Sequence, residues 1–172
     1  MKVRDRPCGL IFRCPLVGLS LVVFLALALT SMAASRSWKD AVSGSWSDTN
    51  CWNPSGLPVA GEDVYVTNSG AFTVTLSSGP QYKSLVLGGD SGTQSIDWVT
   101  GTMPGGVLIA TNGTLNLATN GSSWTLSGVV TNYGAIVWRP GSSGMWYCNS
   151  ARLENQPSGL VDIQRDGTIV VN

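Results

Sequence analysis

The sequence predicts an all-β protein, a right-handed parallel β-helix of about five coils behind an N-terminal cap. Three observations carry that reading. Signals for helix are nearly absent, since no convincing stretch places apolar residues at three-and-four spacing. Short alternating strands bounded by Gly, Asn, Ser or Pro fill the chain beyond residue 58. One strand–corner–strand form also recurs at a steady interval. It appears as "VYVTNSGAFTV", "LVLGGDSGTQSI", "VLIATNGTLNL", "GVVTNYGAIVW" and "ARLENQPSGLVDI". The corner residues are Asn68, Asp90, Asn112, Asn132 and Asn155, spaced by 22, 22, 20 and 23 residues. At roughly 3.3 Å per strand residue, such a period suits one coil of three short strands and three corners. A β-sandwich is the alternative. It explains the alternation but not the return of the same corner at one period.

The elements follow in chain order. Residues 1–33 read as a secretory signal peptide. Lys2, Arg4, Arg6 and Arg13 form a basic head, and the 14-residue run "LVGLSLVVFLALAL" follows. "TSMAAS" then supplies small residues that suit cleavage after Ala33 or Ala34. A membrane-spanning helix needs about 20 apolar residues, so the run is short for an anchor. Cys8 and Cys14 precede the run and should leave with it.

The remaining chain of about 139 residues is enough for one domain. It keeps six Lys or Arg against nine Asp or Glu, a net charge near −3. No basic face emerges, so nucleic acid is not an expected partner. Cys51 and Cys148 are expected not to bond, because one belongs to the cap and the other near the fourth coil. Four coils at about 4.8 Å would hold them roughly 15–20 Å apart.

Residues 34–58 read as the cap. Trp46 and Trp52 flank the turn residues "SDTN", and each can bury about 200 Å² against the first coil. Pro54 and Pro58 resist strand pairing. Exposed instead, the two tryptophans would make a sugar-stacking platform, but their position beside the first coil favours packing. Residues 59–172 read as the coils. In "DVYVTN" Val64 and Val66 should face the core, and in "AFTVTLS" Phe72, Val74 and Leu76 should.

A search for chemistry yields little. "GGDSG" at Gly88–Gly92 contains a serine-protease-like string, but a nucleophilic serine needs a base and the chain has no histidine. Its position on the repeat makes it a corner. A polysaccharide-cleaving β-helix would want clustered acids on neighbouring coils. Glu62 and Asp63 are adjacent and would face opposite sides. Asp162 and Asp166 flank Arg165 at a turn, and Asp90 and Asp97 pair with no acid one coil away. Asn112-Gly113-Thr114 and Asn120-Gly121-Ser122 match glycosylation acceptors and serve equally as turns. "RDG" at 165–167 reads as a turn. No cofactor, metal site or catalytic residue is expected. "WRPGSSGMWYC" is the best candidate for a ligand surface, through Trp138, Trp146 and Tyr147, with core packing as the alternative. Glycans or cell-surface components are the partners such a surface would fit.

"GSWSDTNCWNPSGLPVAGEDVYVTNSGAFTV" resembles the start of bacterial β-helical surface and autotransporter-like, adhesin-type proteins. The shared pattern is Trp46, Trp52-Asn53, Pro58, Gly61 with Glu62-Asp63, and the strand at Val64. "VVTNYGAIVW" and "LENQPSGLVDI" are similar to the coil repeats of that group. The resemblance implies a non-catalytic exported segment of a cell-surface protein. Within these 172 residues no outer-membrane barrel follows. The alternatives are an N-terminal portion of a β-helical polysaccharide lyase or hydrolase, or a glycan-binding module. The strand "DGTIVVN" has no capping residues after it. The coils are therefore expected to continue in a longer protein or to pair through residues 167–172.

Overall fold

The computed structural model describes residues 34–118, 123–139, 144–164 and 168–171. The proposed leader, Asn120 and the "RDG" turn lie outside the described residues. Among the described residues strands account for almost all regular structure, and a single 3₁₀ turn, Thr49–Cys51, interrupts them.

The chain winds into a parallel β-solenoid with three sheet faces. Short strands lead in: β1 (Ser35–Trp38), β2 (Gly44–Ser45) and β3 (Trp52–Asn53). The first coil has two strands, β4 (Asp63–Val66) and β5 (Gly70–Leu76). Four complete coils follow. The second contains β6 (Ser84–Leu87), β7 (Gly92–Trp98) and β8 (Gly101–Met103). The third contains β9 (Gly106–Ile109), β10 (Gly113–Leu117) and β11 (Ser123–Leu126). The fourth contains β12 (Val129–Asn132), β13 (Ala135–Trp138) and β14 (Met145–Cys148). The fifth contains β15 (Arg152–Asn155), β16 (Leu160–Ile163) and β17 (Ile169–Val171). Strands of equal rank stack into one seven-stranded, one six-stranded and one four-stranded sheet. Every ladder is parallel except β1 with β3.

Register explains the repeat. Leu85 pairs with Val107, Val107 with Val130 and Val130 with Leu153, steps of 22, 23 and 23 residues. On the second sheet Leu76, Trp98, Leu117 and Trp138 form one inward row. Alternation puts such rows inside, because successive strand side chains point to opposite faces. Val64, Val66, Phe72, Val74 and Leu76 are all buried, while Thr73 and Thr75 face outward and are half-buried.

The corners depend on close backbone approach. A Cβ on Gly89 would lie 2.0 Å from the Thr67 carbonyl oxygen of the coil beneath. Amide side chains close several corners. Asn68 Nδ2 donates to the Trp38 carbonyl (2.9 Å) and Asn112 Nδ2 to the Gly89 carbonyl (2.9 Å), each bond reaching back to the preceding turn of chain. At the Gly88–Gly92 corner, Asp90 is exposed and Gln94 takes that part. The fully buried Gln94 amide accepts from Gly89 N (2.6 Å) and donates to the carbonyls of Gly70 (2.6 Å) and Ser91 (2.9 Å).

Asn132 and Asn155 are the last residues of β12 and β15, in register with each other and not beyond their strands. Asn132 is buried at the inward position that Ile109 fills one coil below. Its Nδ2 donates to Asn155 Oδ1 (2.7 Å) and to the Leu160 carbonyl (3.0 Å). The 20-residue step before Asn132 reflects this: its alignment partner is Ile109, not Asn112.

The cap is an aromatic cluster. Trp38, Trp46, Trp52 and Tyr82 are all buried. Trp52 meets Trp38 edge-on at 5.0 Å between ring centroids and Trp46 at 4.7 Å. Its indole N–H donates to the Trp46 carbonyl (2.9 Å). Trp46 also lies 6.3 Å from Tyr82, whose phenol burial holds well above its ordinary pKa. β3 runs antiparallel along the outer edge of β1, so the first sheet ends in a strand unlike the others. Pro58 is buried and Pro54 exposed. Cys51 packs beside Trp38 and Gly44, and Cys148 ends β14 in the fourth coil. Both thiols are free. Burial raises the pKa of each, with Asp48 adding to the effect at Cys51.

An ion pair ties the cap loop to the stack. Arg36 donates Nε to Glu62 Oε2 (2.9 Å) and Nη2 to Glu62 Oε1 (2.9 Å), and Nη1 reaches the carbonyls of Pro54 and Gly56. Glu62 Oε2 also accepts from Val59 N (3.0 Å). The Arg36 hydrogen bonds hold the Glu62 carboxyl below its usual range against the opposing effect of burial. A carboxyl lowered on folding contributes stability that is fully present above its unfolded value of about 4.3. That contribution falls away as pH drops through the lower, folded value. The melting temperature should therefore decline below about pH 4.5. In Glu62→Gln the acid-side decline should be shallower and the neutral-pH melting temperature lower. Calorimetric scans from pH 2 to 7 of both proteins check it, and parallel curves would remove Glu62 from the account.

Candidate functional site

The aromatic residues that the sequence offers as a ligand surface are placed by the coil register. Trp138 stands on the inward row above Leu117, and Trp146 stands on the inward row above Trp124. Both are buried. Trp124, Trp138 and Trp146 meet edge-on, with centroids 6.0 Å and 6.2 Å apart. They form part of the core, and all seven tryptophans of the chain are buried. This corrects the expectation of a Trp138–Trp146–Tyr147 surface. The strand β14 alternates, so of these three aromatics only Tyr147 faces out, beside Met145, whose Sδ lies 3.7 Å from its hydroxyl. Trp46 and Trp52 are likewise unavailable as a sugar platform.

The outer faces differ in chemistry. On the seven-stranded sheet, Tyr65, Val86, Leu108, Thr131 and Glu154 form one outward ladder. Asp63, Ser84 and Gly106 begin the ladder beside it. Gly106 has no side chain, so a shallow open groove of about 270 Å³ lies there. Ser84, Val86, Leu108, Val129 and Thr131 line it. Charges flank it at both ends. Lys83 Nζ lies 3.3 Å from Asp63, which also accepts from Ser84 Oγ (2.6 Å). Those contacts, the serine bond first, lower the Asp63 pKa. Arg152 and Glu154 pair at the other end at 2.6 Å.

The six-stranded sheet presents a polar stripe. Thr75, Asp97 and Asn116 are in register. Asn116 Nδ2 donates to Asp97 Oδ1 (2.8 Å), and Arg139 Nη2 donates to Asn116 Oδ1 (3.3 Å). One carboxylate, one amide and one guanidinium therefore bridge three coils. Asp97 has this amide partner on the next coil rather than a second acid. Asp162 on the fifth coil accepts from Gln164 Nε2 (2.6 Å). The Gly88–Gly92 string forms a corner closed by Gln94, as described above. Among the described residues no group of three or more His, Cys, Asp or Glu is arranged to hold a metal, and no helix is long and apolar enough to cross a membrane.

The fold and these faces define the class: a parallel β-solenoid domain with a capped first end, a shallow apolar groove on one face and a polar stripe on another. The chain matches no protein-family model, no curated protein and no solved structure.

Sequence reasoning missed the groove. Its signal is Gly106, a strand glycine at an outward position between Ser84 and Val129. Only the coil register shows what a glycine there leaves open.

Proposed function

We propose that the chain is an exported, non-catalytic β-helical segment of a bacterial surface protein of the adhesin or autotransporter-like type. The observation that carries this reading is an aromatic cap at the start of a regular stack, directly after a basic, apolar and small-residue leader. A cap placed there makes residue 34 onward a self-contained beginning, as cleavage after Ala33 or Ala34 requires. The outer faces are regular ladders that run from coil to coil, a surface suited to spacing and contact. The resemblance of Trp46 to Val64 to the openings of β-helical surface proteins points the same way.

The test is expression of the full chain in a Gram-negative host, followed by fractionation and N-terminal sequencing. The expected product starts at Ala34 or Ser35 and lies outside the cytoplasm. Full-length protein retained in the cytoplasm would refute export. A second reading, glycan binding, is favoured by the groove at Gly106 with Tyr65 on the same ladder. It predicts a glycan-array signal that Leu108→Asp removes while the circular dichroism spectrum stays unchanged.

A further inference from the structure

The outward positions of the seven-stranded sheet form two neighbouring ladders. Asp63, Ser84, Gly106, Val129 and Arg152 make one, and Tyr65, Val86, Leu108, Thr131 and Glu154 make the other. They stand two residues apart along each strand, with the buried row Val64, Leu85, Val107 and Val130 between them. Members of the two ladders on the same coil are chemical complements. A phenol stands beside a carboxylate at Tyr65 and Asp63. The exposed Leu108 stands beside the gap at Gly106. A guanidinium stands beside a carboxylate at Arg152 and Glu154, 2.6 Å apart. These are outward faces, so their chemistry does not depend on what stacks on either end of the coils.

We propose that this face binds a second copy of the chain, with the two stacks side by side and parallel. A two-fold axis along the stack, over the buried row, exchanges the two ladders. Leu108 of each copy then enters the Gly106 gap of the other, at the third of five coils. Val86 meets Ser84 and Val129 meets Thr131. Tyr65 is placed to donate to Asp63 of the other copy, and Arg152 to Glu154 of the other copy. The occupant follows from this complementarity, since within the ladders every charge meets an opposite or a donor and no like charges meet. The antiparallel arrangement is poorer, because it sets gap on gap and Leu108 on Leu108. A glycan is also a poorer fit: aliphatic side chains line most of the groove, which offers only the hydroxyls of Ser84 and Thr131. The ladders cover roughly 19 Å by 7 Å, a small contact of the weak, transient kind. The inference goes beyond the export reading and does not depend on it.

The experiment is sedimentation equilibrium of the purified chain from about 1 µM to about 1 mM, the range in which a weak interface forms. The mass should rise toward twice that of one chain. Gly106→Val fills the gap without crowding its own chain, because the added Cβ meets only the Val129 carbonyl oxygen, at 3.8 Å. A β-branched residue also suits a strand. That variant should keep its circular dichroism spectrum and melting temperature and stay at the mass of one chain. Arg152→Glu and Glu154→Arg should each weaken association about tenfold or more, since each sets like charges against one another across the axis. An equimolar mixture of those two variants should restore it, because the altered charges then face their opposites. Mixing cannot rescue a role confined to one chain. A monomer at every concentration would overturn the proposal, as would a dimer that Gly106→Val leaves intact or a mixture no tighter than either variant alone. A monomer whose glycan-array signal disappears in Gly106→Val would assign the groove to a glycan instead.

Discussion

Trp52→Ala is expected to cost about 3–5 kcal/mol of folding stability, the usual range for deleting a buried indole. Such a loss is a large share of the 5–15 kcal/mol that holds a typical domain together. Trp52 sits between Trp38 and Trp46, so its removal leaves two rings facing a void. It also strips the Trp46 carbonyl of its indole donor, and an unpaired buried acceptor adds about 1–3 kcal/mol. Trp146 gives a useful comparison. Its ring is as well buried, but its N–H has no partner. Trp146→Ala should therefore cost less than Trp52→Ala. Urea melts followed by circular dichroism measure both. Equal midpoints for Trp52→Ala and the unmodified chain would mean that the aromatic cluster does not seal the stack.

Gly92→Ala should be comparably severe, although it adds only one methyl group. Gly92 has a φ of +79°, a conformation that costs an L-residue about 1–2 kcal/mol. Its added Cβ would lie 2.1 Å from the Gly70 carbonyl oxygen and 2.4 Å from the carbonyl carbon. Both atoms belong to the backbone of the coil beneath and pair through the β5–β7 ladder. They move only if the coils separate, which adds about 1–3 kcal/mol or more. Gly61→Ala is the control. Its φ is +94°, but nothing lies within 4 Å of the added Cβ. Gly61→Ala should lose only the conformational term. Parallel thermal melts separate the two costs, and equal losses would show that coil contact contributes nothing at Gly92.

Much of the stack was legible because its physics is local. Val64, Val66, Phe72, Val74 and Leu76 alternate with polar residues, and period-two alternation places them inside whatever the neighbours are. The two strands that meet at the first corner of each coil carry most of the β-branched residues, so the repeat was visible there. The third strand was less visible. β8 is only "GTM", and its place comes from pairing with β11. β11 and β12 sit in one apolar stretch, "WTLSGVVTN", and the close approach of Gly128 to the Gly105 carbonyl marks where they divide. The cap tryptophans were placed by position beside the first coil, while β1 and β3 gave no alternating signal at two to four residues each.

The site was less legible. Trp138, Trp146 and Tyr147 read alike as aromatic residues near turns. Coil register decides that the two tryptophans face in and the tyrosine faces out. Asn132 reads as another corner asparagine, yet it shares the inward row of Val66, Leu87 and Ile109. It is tolerated there because Asn155 and the Leu160 carbonyl accept from its amide. Gln94 had no sequence signal at all, since its three partners come from two coils.

Alone, the sequence determined that this chain is all-β, that it repeats near every 22 residues, and that its first tryptophans belong to a cap. Those properties depend on alternation, corner residues and spacing, all short-range along the chain. Only the tertiary structure decided which aromatic side chains are core and where the outer groove lies. Each of these depends on what stands one coil above or below a residue. A step of 21 rather than 22 changes that neighbour, and strand hydrogen bonds between coils set the step.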